Sequence, residues 1–190
     1  MLLSTSPIAK RIIPYQRMII IGATGSGKST LAEQLAQMFE IDFIELDALY
    51  WLPEWEHVSE QEFRSRVDVA TSASQWVMAG NYHVVRDISW RRAEAIIWLD
   101  YKLGIIFWQL WRRTWRRWWT KEVLWNTNLE RLLPQFKIWS AEDSLFHWLF
   151  KTYWRRKREF PVYFAKPEYA HLRVHHFRTP QETSFWLNNL

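Results

Sequence analysis

The hydrophobic and polar positions along the chain follow two alternating patterns, which together predict an α/β protein. Continuous apolar runs that end at glycine or polar residues are typical of strands buried in a parallel sheet. Apolar residues three and four positions apart predict amphipathic helices. The runs predict strands at 17–22, 42–46, 75–80, 94–100 and 171–177, and the helical spacing predicts helices at 28–40, 59–72, 103–119, 142–158 and from Pro180 to the C-terminus. Alternation of the two predicts a parallel sheet with helices on both faces.

Two helix starts carry a strong polar signature. Ser59 and Glu62 are spaced as a capping box, in which the serine and glutamate side chains accept from backbone N–H groups at the helix start. Thr179 and Glu182 repeat that spacing, with Pro180 at the first helical position. Both helices are therefore expected to begin at these residues.

Two segments do not fit a regular pattern. Residues 1–16 precede the first predicted strand, and we interpret them as an N-terminal extension or a consequence of start-site choice. Residues 120–141 are mixed, so that 120–158 is the best candidate for an insertion over the edge of the sheet. The remaining pattern predicts one domain over 17–190, since 190 residues suffice for a single sizeable core.

Composition narrows the class of protein. Hydrophobic residues make up 48% and charged residues 24%, which is typical of a globular protein. The chain contains no cysteine, which excludes disulfides and thiolate chemistry. No apolar run reaches the ~20 residues of a membrane span, and the N-terminus lacks the pattern of a signal peptide. We therefore expect a cytoplasmic protein without a transmembrane segment.

The charge is unevenly distributed along the chain. Residues 91–158 contain 15 Lys/Arg and 6 Asp/Glu, a net charge of +9, whereas the remainder contains 10 and 14, a net charge of −4. A basic segment attached to an acidic body suggests that 91–158 meets phosphates or another polyanion. A solvated helical surface is the alternative explanation.

The stretch "GATGSGKST", residues 22–30, carries the clearest chemical signal. It satisfies G-x-x-x-x-G-K-[ST] between a predicted strand and a predicted helix, the context that this phosphate-binding motif requires. Backbone N–H groups of such a loop surround phosphate oxygens, the lysine contacts the β- and γ-phosphates, and the Ser29 hydroxyl ligates Mg²⁺. We expect ATP and Mg²⁺ as cofactors, bound by Gly22, Ala23, Thr24, Gly25, Ser26, Gly27, Lys28, Ser29 and Thr30.

Several stretches together resemble one protein family. "GATGSGKSTLAEQLA", "FIELDALYW", "QWVMAGNY" and "AIIWLD", followed by an arginine-rich helix, are similar to the adenylate-kinase-related proteins labelled DNA topology modulation proteins. Their layout is similar to that of shikimate, gluconate and nucleoside monophosphate kinases. The resemblance implies a P-loop NTPase fold with a five-stranded parallel sheet and a basic helical lid over about 112–158. It also implies a kinase that transfers the γ-phosphoryl group of ATP to a small acceptor, a nucleotide or a hydroxylated metabolite.

The acceptor side of the site is expected just past the ends of two strands, where open α/β sheets bind ligands. In kinases of this layout, an acid at the position of Asp47 faces the acceptor and orients a hydroxyl or takes its proton. Asn81 and Tyr82 follow Gly80 and are expected to bind the acceptor, or to form a simple turn. Tyr50, like Trp51 and Trp55, either walls the acceptor pocket or packs in the core.

One departure from the family pattern concerns the metal. Relatives commonly carry a carboxylate before the Gly-Asn-Tyr segment, where this chain has Ala79. The task of orienting the metal's water shell then falls to Asp47, Glu45 or Asp100, or the protein is a weak catalyst. Asp100 resembles a Walker-B acid by its place after "AIIWL", and a purely structural role is the alternative.

The helix predicted at 103–119 is rich in tryptophan and arginine. Its five tryptophans fall within a ~100° arc, which we interpret as a packing face, and its four arginines fall within the neighbouring ~140° arc. Arg112 and Arg116 are the predicted catalytic arginines of the lid, and Arg155, Arg156 and Arg158 are candidates to close from a second helix. Arg178 follows the last strand, and because the loop at this place lies by the nucleotide base in similar kinases, the resemblance implies that Arg178 stacks on adenine.

Two other functions would use the same basic aromatic helix. It could lie on an anionic lipid surface, or it could bind nucleic acid. The second possibility gives the alternative to a kinase, a weakly catalytic ATP-binding regulator associated with nucleic acid. The arginines and the phosphate loop are both explained by ATP, so the kinase is the simpler interpretation.

Overall fold

The five predicted strands form one parallel sheet. The computed structural model describes residues 14–120, 123–124, 128–129 and 145–190. The strands are β1 Arg17–Gly22, β2 Asp42–Glu45, β3 Trp76–Ala79, β4 Ala95–Leu99 and β5 Arg173–Phe177. Their order across the sheet is β2-β3-β1-β4-β5, and every neighbouring pair is parallel. The carboxyl ends of all five strands therefore meet at one edge.

Helices connect the strands on both faces of the sheet. Those in the described part of the chain are α1 Lys28–Phe39, α2 Leu46–Tyr50, α3 Glu60–Ala70, α4 Arg86–Arg92, α5 Leu103–Thr120, α6 Leu145–Phe164 and α7 Pro180–Asn188. Short 3₁₀ turns occur at Pro53–Trp55, His83–Val85 and Pro167–Tyr169. The short helices α2 and α4 were not predicted, and α6 continues six residues beyond its predicted end. None of the described helices is long and apolar enough to cross a membrane.

Part of the predicted insertion is described. Val123–Leu124 and Asn128–Leu129 form a short antiparallel pair within the segment that we predicted as mixed. The rest of 121–144 lies outside the described residues, as does the extension predicted before residue 14. The lid predicted at about 112–158 is therefore described only at its two helical ends.

Alternate residues of the central strand fill two separate cores. Met18 and Ile20 face α1, α5 and α6, whereas Ile19 and Ile21 face α3 and α4. Because both faces are buried, the strand needs no polar position along its length. This explains the continuous apolar run from which the strand was predicted.

Polar contacts fix both ends of β1. At its start, the Arg17 guanidinium lies 2.8 Å from a carboxylate oxygen of Glu94. At its end, the Gly22 N–H donates to the Asn81 side-chain oxygen over 3.1 Å. These contacts join β1 to the chain segments beside β4 and after β3.

Both predicted helix caps are confirmed. The Glu62 N–H donates to the Ser59 hydroxyl and the Glu182 N–H donates to the Thr179 hydroxyl, each over 3.2 Å. In the second cap, the Glu182 carboxylate also accepts from the Arg178 N–H over 2.7 Å. The polar spacing therefore placed the starts of α3 and α7 correctly.

The tryptophan arc of α5 does not pack as predicted. Ile106, Leu110 and Thr114 form the buried side of the helix. The exposed rings of the arc are Trp108, Trp115, Trp118 and Trp119. The prediction was wrong because α5 packs on the sheet and the phosphate loop through the narrow face centred on Leu110, which leaves the tryptophans outside the contact.

Candidate active site

The glycine-rich stretch lies at the carboxyl end of β1 and leads directly into α1. Gly27 is the residue before the helix and has φ 90°, a left-handed conformation that glycine adopts without strain. The N–H groups in the first turn of α1 lack carbonyl partners within the helix, and together with the helix dipole they favour an anion. The local backbone is therefore that of a phosphate-binding loop.

Helix α5 packs closely on this loop. A Cβ atom on Gly25 would lie 2.8 Å from Leu110 Cβ and 3.2 Å from the Ile106 carbonyl oxygen. Glycine is thus needed at this position for close approach of the helix. The basic helix α5 is thereby held against the loop that would bind phosphate.

Lys28 is the central cation of the site. Its Nζ donates to the Ala23 carbonyl oxygen over 3.0 Å, a contact that a phosphate oxygen could replace. Burial, reinforced by the charge of Arg156, lowers the Lys28 pKa to about 8, although Asp47 acts in the opposite direction. A bound phosphate anion would stabilise the ammonium form of Lys28 and so raise its pKa again.

Two arginines from different helices share the electrostatic field of Lys28. Arg113 of α5 and Arg156 of α6 both lower its pKa, and burial lowers the pKa of Arg156 itself to about 10. The charge of Asp47 acts in the opposite direction on Arg156, more strongly than that of Glu159. The site thus gathers positive charge from two helices that are far apart in the sequence.

These are not the two arginines that the sequence singled out. Arg112 and Arg116 are exposed to solvent. Arg112 is two positions from Leu110, which packs on the loop, and residues two apart point to different sides of a helix. Arg113 is three positions from Leu110 and therefore lies on the same side of α5 as Leu110. The face of α5 that meets the loop is set by packing, which the arginine spacing alone did not reveal.

Ser29 contacts a carboxylate on the neighbouring strand. Its hydroxyl donates to Glu45 Oε1 over 2.7 Å, and burial raises the Glu45 pKa above its ordinary value. In the sheet register, Glu45 lies beside Ala79 of β3. The carboxylate that is missing at Ala79 is therefore present one strand away, bonded to the predicted metal ligand.

Asp47 lies in the first turn of α2 rather than in a loop. The Tyr82 hydroxyl donates to its Oδ1 over 2.6 Å. Burial and the charge of Asp47 raise the Tyr82 pKa well above its ordinary value, so that the phenol remains a donor. Tyr50 packs against Tyr82 and Phe63, with ring centroids 4.9 Å and 5.1 Å away. Tyr50 therefore forms part of the aromatic packing that supports the Asp47–Tyr82 pair.

Asn81 connects the end of β3 to the phosphate loop. Its amide oxygen accepts from the Gly22 N–H, and its amide nitrogen donates to the Gly22 carbonyl oxygen. Both functional groups of the side chain are thus engaged with the loop. This arrangement differs from the predicted contact with an acceptor.

Asp100 is buried and ion-paired. Its Oδ2 lies 3.0 Å from His176 Nε2 and 3.3 Å from Lys157 Nζ. It lines a small pocket together with Ala23 and Arg156. Of the three acids considered for the metal, Asp100 is therefore the one held by Lys157 of α6 and by the His176 ring of β5.

Arg178 follows β5 and is exposed. Its backbone N–H donates to the Glu182 carboxylate in the cap of α7. Trp51 and Trp55 lie beyond α2, 5.8 Å apart between ring centroids. The predicted stacking of Arg178 on adenine stays a prediction.

The residues present fit a magnesium nucleotide. The N-terminus of α1, Lys28, Arg113 and Arg156 offer positive charge for a phosphate chain, and Ser29 and Glu45 offer the oxygen atoms that Mg²⁺ prefers. Among the described residues, no cluster of three or more His, Cys, Asp or Glu side chains could hold a metal ion. A metal held by few protein oxygens and by substrate phosphates is the arrangement typical of Mg²⁺ at nucleotides.

Comparisons with known proteins agree with the phosphate loop. Residues 18–100 match the model of the ATPase family associated with various cellular activities (AAA). No match was found among curated proteins. None of the comparisons identifies the DNA topology modulation type that the sequence resembles.

Two solved structures are similar over most of the chain. Shikimate kinase from Bacteroides thetaiotaomicron is 15% identical, with 93% of this chain and 96% of that chain covered and a TM-score of 0.50. A gluconokinase from Sinorhizobium meliloti 1021 is 15% identical, with 90% and 87% covered and a TM-score of 0.50. Together with the matched residues and the parallel sheet, these similarities show that the chain has the P-loop NTPase fold.

Proposed function

We propose that the protein is an ATP-dependent kinase that transfers the γ-phosphoryl group of ATP to a hydroxyl group of a small acceptor. The observation that carries the proposal is the placement of one hydrogen-bonded carboxylate, Asp47, within the electrostatic field of Lys28 and Arg156. A site that only binds nucleotide needs the cations but not a carboxylate held in position among them.

The phosphate side of the reaction uses the loop. Backbone N–H groups at the start of α1 and the Lys28 ammonium hold the phosphate chain, with Lys28 exchanging its contact to Ala23 for one to a phosphate oxygen. The Ser29 hydroxyl would ligate Mg²⁺, and Glu45, which accepts its hydrogen bond, would orient Ser29 and the water molecules on the metal. Bound magnesium nucleotide supplies the phosphoryl group and neutralises part of its charge.

The acceptor side uses Asp47. Tyr82 occupies Oδ1, which leaves Oδ2 to accept a hydrogen bond from the acceptor hydroxyl. The acceptor oxygen bonds to the γ-phosphorus as its proton passes to Asp47, and the bond to the β–γ bridging oxygen breaks to release ADP. Tyr82 keeps the carboxylate in one orientation throughout.

Arg113 and Arg156 complete the site. Negative charge on the transferring group is spread over its equatorial oxygens, and guanidinium groups stabilise it in place of water. These arginines come from α5 and α6, the described ends of the predicted lid. We infer that they replace Arg112 and Arg116 in the role first predicted for the lid.

The test is turnover by the purified full chain with ATP and Mg²⁺. The acceptor panel contains nucleoside monophosphates, nucleosides and hydroxylated acids, including shikimate and gluconate because of the two similar structures. ADP release is measured together with the mass of each acceptor. We expect one class of acceptor to gain a phosphoryl group.

Matched variants separate catalysis from binding. Lys28→Ala should weaken ATP binding, measured by calorimetry, and Asp47→Asn should abolish transfer while ATP still binds. Asp42→Asn changes an exposed acid at the start of β2 and should have no effect on either. Bound ATP without product from any acceptor would contradict the kinase proposal and favour an ATP-binding regulator.

A further inference from the structure

Helices α5 and α6 present a surface of exposed aromatic rings. The relative exposure of Trp108 is 60%, that of Trp119 is 73% and that of Trp154 is 59%. Side chains of this size rarely remain exposed in groups on a protein that has no partner for them. We call the set the aromatic face, and it comprises Phe107, Trp108, Trp115, Trp118, Trp119, Phe150 and Trp154.

Several rings of this face touch one another. Centroid distances are 5.6 Å between Trp115 and Trp118, and 6.3 Å between Trp118 and Trp119. Phe107 and Phe150, 6.1 Å apart, form a contact between α5 and α6. Trp108 and Trp154 add exposed rings on the same two helices, so that the aromatic face is an apolar ridge carried by α5 and α6.

The ridge is bordered by positive charge. Helix α5, Leu103–Thr120, contains no Asp or Glu, and its exposed Arg112 and Arg116 lie next to the tryptophan arc. On α6, Arg155 and Arg158 are exposed. The one acid of α6 is Glu159, 3.8 Å from Arg155. A partner for this face must therefore be apolar at its centre and anionic around it.

An anionic lipid surface fits this combination better than a nucleic acid does. Nucleic-acid interfaces are polar, and the aromatic residues that bind single strands offer open ring faces to separate bases. Here neighbouring indoles already pack on one another. At the boundary between headgroups and acyl chains, a bilayer buries whole indole rings while arginines beside them reach lipid phosphates.

The aromatic face is separate from the candidate active site. Leu110 packs on the phosphate loop from one side of α5, whereas Trp108 and Trp115 lie outward on the same helix. Docking through these rings would leave the loop and Lys28 accessible. We propose that α5 and α6 attach the protein to the surface of an anionic lipid bilayer through the aromatic face.

The experiment is vesicle co-sedimentation of the full-length chain. One set of vesicles contains equal parts of phosphatidylcholine and phosphatidylserine, and the other contains phosphatidylcholine alone. We expect binding to the mixed vesicles that weakens with added salt, together with a blue shift of tryptophan emission. Absence of binding to the mixed vesicles would overturn the proposal.

A double variant and a matched control test the face itself. Trp108→Ser with Trp119→Ser should reduce binding about tenfold or more. Phe185→Ser removes an equally exposed ring, 72% accessible, from α7 outside the face and should bind as the unmodified chain does. Circular dichroism and ATP binding confirm that each variant is folded. Unchanged vesicle binding by the double variant would overturn the proposal.

A competition arm addresses the other occupants. A single-stranded oligonucleotide is added at rising concentration to vesicle-bound protein. Retention of the protein on the vesicles supports the proposal. The proposal would be overturned if the protein did not bind the vesicles but bound the oligonucleotide tightly through Trp108 and Trp119. In the free protein, iodide should strongly quench the fluorescence of the exposed tryptophans. If the chain itself shields these rings from iodide, that result would also contradict the proposal.

Discussion

The Tyr82 hydroxyl donates a hydrogen bond to Asp47 Oδ1 over 2.6 Å, and it joins two segments that follow neighbouring strands. Because burial and the charge of Asp47 raise the Tyr82 pKa, the phenol stays protonated and remains the donor of this bond. The pair fixes the direction of one carboxylate toward the phosphate loop. The importance of this orientation can be measured.

Replacing Tyr82 with phenylalanine removes the bond and keeps the ring packing. We expect kcat to fall about tenfold to a hundredfold, since small misplacements of a catalytic group are costly. The KM for ATP should be unchanged, and the free energy of unfolding should fall by about 1 kcal/mol. Tyr163→Phe, on α6 and outside the site, is the control for loss of a hydroxyl. An unchanged kcat would show that Asp47 is oriented by other contacts.

The lowered pKa of Lys28 predicts a pH dependence of nucleotide binding. A phosphate chain beside the amine stabilises its charged form and raises the pKa, so binding takes up a proton when the free amine is neutral. The dissociation constant for ATP should be nearly constant below pH 8 and should rise about tenfold per pH unit above it. Calorimetry at pH 9 in two buffers of different ionisation enthalpy measures the proton uptake. Lys28→Arg should remove it.

The same lowered pKa affects stability without nucleotide. The pKa of Lys28 is about 8 in the folded protein, against 10.5 for an ordinary lysine. Between these values the unfolded chain binds more protons than the folded one, so this group makes the free energy of unfolding increase with pH. Denaturant titrations of the parent and of Lys28→Met from pH 8 to 10 isolate its contribution. Equal slopes would contradict the assignment.

Replacing Glu45 with glutamine tests its role at the metal. The amide oxygen can still accept from Ser29, but the charge that orients the metal's water shell is lost. We expect the Mg²⁺ concentration for half-maximal activity to rise about tenfold. Asp42→Asn, an exposed acid at the start of β2, should leave it unchanged. Identical Mg²⁺ dependence of Glu45→Gln and the parent would exclude Glu45 from the site.

Replacing Asp100 with asparagine should affect stability rather than metal binding. The substitution removes the charge shared with His176 and Lys157. We expect the free energy of unfolding to fall by about 1–3 kcal/mol in denaturant titrations, with unchanged Mg²⁺ dependence of activity. Lys157→Gln, which loses only the half-exposed partner, should cost less. A raised Mg²⁺ requirement with full stability would instead make Asp100 the acid that serves the metal.

Local patterns predicted the sheet but missed the short helices α2 and α4, and for α4 there is a physical reason. The strands lie within two residues of their predicted ends. For β1, β3 and β4 the reason is that buried parallel strands are continuous in apolar residues, whereas β2 and β5 at the edges of the sheet carry polar and exposed residues. Helix α4 was missed because Arg86 is buried in it, with its guanidinium 3.8 Å from the Tyr163 ring centroid and 4.8 Å from that of Trp90. A pattern that counts arginine as exposed cannot find such a helix.

The site was predictable as far as it is local. The phosphate loop, and the positions of Asp47 and Tyr82 just after their strands, follow from short motifs. The arginines that face Lys28 do not, because their direction depends on how α5 and α6 pack on the loop. Arg113 was one of four arginines on its helix, and nothing in the spacing distinguished it from Arg112.

The contacts at the two ends of β1 have a consequence for how the loop is placed. Ile19, Ile20 and Ile21 are identical and Met18 is also large and apolar, so sliding the strand by one residue would still place an apolar side chain in each core. Such a slip would displace Gly22 by about 3.3 Å relative to Asn81 and so break the hydrogen bonds between them. The apolar side chains would allow this shift in register, but two polar contacts oppose it. A shift would break the ion pair of Arg17 with Glu94 and the hydrogen bonds of Asn81 with Gly22. The placement of the phosphate loop thus depends on two polar contacts that hold β1 in register.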